Sequence, residues 1–100
     1  MPPITVSSLS PSDITLSVFT VTSRSITVQW SSYSGASFYR ITATPKNSPE
    51  PIGFAQFSGN SVMGSLNALS PNTVYTILLE PMDNALNVLS SAETEGKTGL

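Results

Sequence analysis

Leu66-Asn67-Ala68-Leu69-Ser70-Pro71-Asn72-Thr73-Val74-Tyr75-Thr76-Ile77-Leu78-Leu79, residues 66–79, is the stretch on which the fold turns. From Val74 to Met82 the character of the side chains alternates, with Tyr75, Ile77 and Leu79 in one set and Thr76, Leu78 and Glu80 in the other. Period two puts alternate side chains on opposite faces of a strand, which predicts a β-strand with the first set turned inward. Upstream, Val62, Gly64 and Leu66 share a face in a further predicted strand, entered through the turn Gly59-Asn60.

The same period recurs toward the N-terminus. Ile26, Val28 and Trp30 alternate with Ser25, Thr27 and Gln29, giving a strand with one dry and one wet face. Before it, Leu16 and Val18 share a face and Val21 falls out of phase by one, as a bulge or bend in an edge strand produces. Turn formers fill Ser31 to Ser37, and Phe38 to Thr44 then resumes the alternation with Tyr39, Ile41 and Ala43 inward. Pro45, Pro49 and Pro51 interrupt any ladder, and Ile52 to Phe57 reads as a short strand whose inward face the pattern leaves open. A last strand within Ala92–Thr98 rests on alternating polarity and two outward glutamates. No window shows helical periodicity. Short strands punctuated by Gly, Pro, Asn and Ser indicate an all-β sandwich or small barrel.

Composition limits the function. A chain of 100 residues with 39% hydrophobic and 10% charged residues is one domain with enough apolar material for a core. Four basic and six acidic residues give a net charge of −2 with no basic patch, so nucleic acid and anionic membrane surfaces are poor partners. Cysteine and histidine are both absent, which removes disulfides, thiolate chemistry, the usual zinc and copper ligands and the neutral-pH proton shuttle. No cofactor or metal is expected. No apolar run reaches the length of a membrane span, and the start Met1-Pro2-Pro3-Ile4 lacks the pattern of a signal peptide. Residues 1–13, with Pro2, Pro3 and Pro11 among serines, read as an extended linker, although Ile4 to Leu9 has the makings of an edge strand. Residues 14–98 form the domain, and 99–100 a tail.

Trp30, Tyr39 and the run Leu66 to Tyr75 together resemble the fibronectin type III family. The specific part is Leu66 followed by Leu69-x-Pro71-x-Thr73-x-Tyr75, which is similar to the family's tyrosine corner. The resemblance covers about Ile14 to Thr98. It implies a seven-stranded antiparallel, immunoglobulin-like β-sandwich in which Tyr75 is buried with its hydroxyl bonded back to the loop, Pro71 stiffens the turn, and Trp30, Tyr39, Leu66 and Leu69 are structural. Three departures are visible: Gly64 where a larger inward side chain is usual, Pro81 where strand pairing is expected to stop, and Thr94 and Gly96 where β-branched residues are usual, leaving the last strand loosely held. The family's Arg-Gly-Asp signal is not present in the loop Asp83-Asn84-Ala85-Leu86-Asn87.

The remaining constellations read as ordinary surface. Glu93 and Glu95 stand two apart on one strand face, a spacing of roughly 6.5–7 Å that suits paired carboxylates, but a charged strand edge explains them as well. Serine catalysis would need Lys46 or Lys97 as base, and both are expected to be exposed and protonated. Asp83 to Asn87 offers oxygens to calcium, but Ala85 and Val88 stand where ligand and glycine are needed. Candidate partner contacts are Phe38 and Leu78 on the outward face, with Phe54 beside them, and Tyr33 and Leu86 in loops at one pole. The family implies tandem arrays serving as spacers or adhesive modules. The expected function is a noncatalytic protein-interaction or spacer domain, monomeric in isolation, of a larger extracellular protein or receptor ectodomain, although a chain without cysteine suits the cytoplasm equally. The alternative is an accessory carbohydrate-binding sandwich attached to an enzyme.

Overall fold

The computed structural model describes residues 14–47 and 52–100. The expected linker over 1–13, the edge-strand reading of Ile4 to Leu9, and Pro49 to Pro51 lie outside them. Seven strands follow in order: β1 (Leu16–Val21), β2 (Ile26–Trp30), β3 (Phe38–Pro45), β4 (Gly53–Ser58), β5 (Met63–Leu66), β6 (Val74–Met82) and β7 (Ala92–Lys97). They form two antiparallel sheets, β1-β2-β5 and β4-β3-β6-β7, packed face to face as an immunoglobulin-like sandwich. Among the described residues there is no helix.

Alternation dictates this packing. Ile26, Val28 and Trp30 from one sheet meet Tyr39, Ile41, Ala43, Tyr75, Ile77 and Leu79 from the other, all buried. The inward face of β4, left open by its sequence, is Gly53, Ala55 and Phe57. The bulge in β1 falls at Phe19: Val18 pairs with Val28 and Thr20 with Thr27, which restores Val21 to the position opposite Ile26. The extra residue thus puts the out-of-phase valine on the same side as Ile26, although at this end of the edge strand it stays 39% exposed.

Three expectations need correction or completion. Val62, expected inward with Gly64 and Leu66, precedes β5 and is 49% exposed, although its carbonyl still accepts a bond from the Trp30 amide. Pro81 ends only one of two ladders. Pairing of β6 with β7 stops at Leu79–Ala92, but pairing with β3 runs on through Tyr39–Pro81 to Phe38–Met82. The reason is orientation: the Pro81 carbonyl accepts from the Leu89 amide, so the backbone of Pro81 faces away from β3 and its missing N–H costs the β3 ladder nothing. At Gly64 the expected gap is filled, because a Cβ there would lie 2.4 Å from Cζ of Phe57.

The last strand is tied more firmly than its polarity suggested. All six residues of β7 pair with β6, and Gly96 packs so closely under β1 and β2 that a Cβ would sit 3.1 Å from Val18 and 3.3 Å from Ile26. Beyond it Thr98 is 2% exposed, its hydroxyl donating to the Ser70 carbonyl at 2.6 Å and accepting from the Thr73 amide at 3.0 Å. Gly99 adds two backbone bonds, accepting from Asn72 and donating to the Thr22 carbonyl. Hydrogen bonding therefore continues into the segment set apart as a tail.

Candidate functional site

The frame that positions the surface is set by two tyrosines. Tyr75, at the start of β6, is 1% exposed and its hydroxyl accepts a 2.9 Å bond from the Ser70 amide, closing the corner that contains Leu69 and Pro71. The corner bends through left-handed backbone at Ala68 and Asn72 (φ 60° and 53°), and Leu66 and Leu69 fill the space beneath it. At the opposite end of the same sheet, Tyr39 is fully buried and accepts a 2.8 Å bond from the Tyr33 amide. This second tie was not apparent from the sequence; the one available signal was an inward tyrosine directly after a turn-rich loop, as Tyr75 is. Tyr75→Phe is expected to lower the unfolding free energy by about 1–3 kcal/mol, because the Ser70 amide loses its partner. Urea denaturation checks this, and an unchanged midpoint would remove the role given to the hydroxyl.

At the Tyr39 end two loops meet. The Ser37 amide donates to the Met82 carbonyl at 2.7 Å, and Gly35 lies against Leu89, so the 31–37 and 83–91 loops touch. Tyr33 is half-buried and packs on the core, which leaves part of its ring for contact. Leu86 is 65% exposed and is presented by a self-capped loop. Asp83 makes that cap: its carboxylate accepts from the amides of Ala85 and Asn87, both at 2.9 Å, and from the Asn87 side chain. The Asn87 amide and side chain, with help from Ala85, hold the Asp83 carboxyl below its ordinary value. Its oxygens are thus engaged within the loop, which holds Leu86 in left-handed backbone at φ 68°. Among the described residues no cluster of three or more acidic side chains could hold a metal ion.

The outward face of the four-stranded sheet is banded rather than continuously apolar. Cross-strand register puts Ser58, Phe38 and Met82 in one row, Gln56, Arg40 and Glu80 in the next, and Phe54, Thr42, Leu78 and Glu93 in the third. Phe38 and Leu78 are therefore two rows apart, roughly 13 Å along the strand. Between them Nε and Nη2 of Arg40 donate to Oε1 of Glu80 at 3.1 and 2.9 Å. The structure puts Phe54 and Leu78 in one row with Thr42 between them, and separates Phe38 from that row. Met82, buried beside Phe38, lies under the returning loop through its bridge to Val88. A hollow of about 340 Å³ between that loop and the sheet is lined by Glu80, Val88, Leu89, Ser90 and Ser91.

The chemical constellations are open surface. Glu93 and Glu95 are both exposed on an edge strand, and Glu95 is ion-paired with Lys46. Trp30, the aromatic best suited to a sugar platform, is 5% exposed and packs against Tyr39 and Phe57 at ring-centroid distances of 5.4 and 5.9 Å. No family model matches the chain, and no curated protein is similar enough to register as a relative.

Proposed function

We propose that the chain is a noncatalytic module of the fibronectin type III kind, a spacer or protein-interaction domain of a larger extracellular protein. The observation that carries this reading is where the chain enters and leaves. Thr15 accepts from the Ser31 amide at the pole of the 31–37 loop, while Gly99 bonds Asn72 and Thr22 at the opposite pole. A domain measuring 50 × 29 × 22 Å with its ends at opposite poles joins its neighbours end to end. The Ser70–Tyr75 bond and the packing of Trp30 between the sheets support the family resemblance. Contact with a partner falls to Tyr33 and Leu86 at one pole and to Phe54 and Leu78 on the outward face.

Small-angle scattering on a tandem of three full chains tests the spacer reading. The expected maximum dimension grows with each copy by about the length of one domain plus its linker. A tandem that collapses to a compact cluster would overturn it.

A further inference from the structure

The two flanks of the sandwich are guarded differently. On one flank β1 packs against β7; β1 carries the bulge at Phe19, and β7 carries Glu93, Glu95 and Lys97. On the other, β4 packs against β5, and neither strand has a charged residue. The sequence has no Asp, Glu, Lys or Arg anywhere between Glu50 and Glu80. Charges, bulges and prolines are the devices that stop an edge strand from pairing with another chain. β4 has none of them, runs in unbroken register with β3, and exposes Phe54 to 62% with Ile52 just before it at 61%.

Backbone parity shows which groups this edge offers. The Lys46 amide bonds the Val74 carbonyl, so the even-numbered residues of β3 bond to β6 and the odd-numbered ones to β4. In β4 the partners of those odd residues are Gly53, Ala55 and Phe57. The N–H and C=O groups of Phe54 and Gln56 and the N–H of Ser58 therefore point outward from the sheet edge, while the Ser58 carbonyl is taken up by the Ser61 amide at 3.0 Å.

We propose that β4 is a self-association edge, at which two copies of this chain pair antiparallel about a twofold axis through Gln56 and join their sheets into one. In that register Gln56 faces Gln56 of the second copy and Phe54 faces Ser58. Even residues meet even residues, so both cores lie on the same side of the joined sheet. The Gln56 groups of both strands and the Ser58 amides, which reach the Phe54 carbonyls, then make about four hydrogen bonds. The pairing needs only residues 54–58 and does not reach Glu50. A second copy is the occupant because its edge is equally uncharged and the twofold satisfies identical groups on both sides. A charged strand would instead set its charges against Ile52 and Phe54. The contact is small, below about 1,200 Å² of buried surface, which places it among weak interfaces formed at tens of micromolar and above. At such concentrations it replaces the monomer expected from the sequence.

Sedimentation equilibrium on the full chain from about 10 μM to about 1 mM, with amide exchange at both ends of that range, tests the proposal. The expected result is a monomer giving way to a dimer, with exchange of Gln56 and Ser58 slowed only in the dimer. Gln56→Lys and Gln56→Glu each place like charges opposite one another on the axis, and each is expected to dimerise about tenfold more weakly. Gln56 is exposed, so both variants keep their fold by circular dichroism, and an equimolar mixture of the two recovers the association. A parent still monomeric at 1 mM, a dimer leaving the two amides unprotected, or a mixture without recovery would each overturn it. So would a monomer whose two amides become protected only on adding an unrelated strand-forming peptide, an outcome that assigns the edge to a foreign strand.

Discussion

Trp30→Ala is expected to lower the unfolding free energy by about 3–5 kcal/mol, a loss large enough to leave much of the chain unfolded at 25 °C if the parent is of ordinary stability. Trp30 is where the two sheets meet aromatic to aromatic: it projects from β2 onto Tyr39 of β3 and Phe57 of β4. Truncation removes the contacts of all three rings at once, and neighbours held in paired strands cannot close the cavity. Because Trp30 is the only tryptophan, unfolding must be followed by far-ultraviolet circular dichroism rather than indole emission. Trp30→Phe sharpens the test. Among the described residues the buried Nε1 of Trp30 has no hydrogen-bond partner. Phenylalanine discards that unpaired donor while keeping a ring, so its cost should be well below that of alanine. Equal losses for the two variants would mean that the indole is fixed by something other than ring packing.

Gly64→Leu is expected to cost about 3 kcal/mol for the opposite reason, too much volume. The closest atoms to a Cβ at Gly64 all belong to the Phe57 ring, at 2.4–2.8 Å, so any side chain there must drive that ring from its site. The ring is also Trp30's neighbour, which carries the damage into the centre of the core. Combining Gly64→Leu with Phe57→Ala should recover stability relative to the sum of the single changes, with a coupling of about 1–2 kcal/mol. Strict additivity in urea denaturation would show that the glycine is required for its backbone and not for the room it leaves.

The strands whose two faces differ most in polarity were the most legible in the sequence. β2, β3 and β6 alternate cleanly and have the expected residues inside. β4 was harder because its inner positions are a glycine, an alanine and a phenylalanine, while Phe54 points outward, so hydrophobicity alone does not separate its faces. The compensation between Gly64 and Phe57 joins two strands from different sheets; the residues are only seven apart, but alternation within a strand does not relate faces across the turn between them. The same limit explains the surface. Phe38 and Leu78 looked like neighbours because their strands are neighbours, but only the register shows Arg40 and Glu80 between them. At Pro81 the rule that proline lacks a donor was correct; which of two ladders would miss that donor depended on a parity that the chain reveals only when paired. Thr98 went unread because a threonine at the end of a polar strand carries no mark of burial.

The clamp that Thr98 and Gly99 form has a mechanical meaning. Tension applied through the two ends pulls β7 along its own axis and past β6, at right angles to the hydrogen bonds of their six paired positions. Bonds in that arrangement share the load and fail together, whereas bonds pulled along their length give way one after another. Before the strand itself is reached, the force must break the ties from Thr98 to Ser70 and Thr73 and from Gly99 to Asn72 and Thr22. Resistance to stretching is therefore concentrated in β7 and the two residues after it, a segment whose one apolar side chain is Ala92.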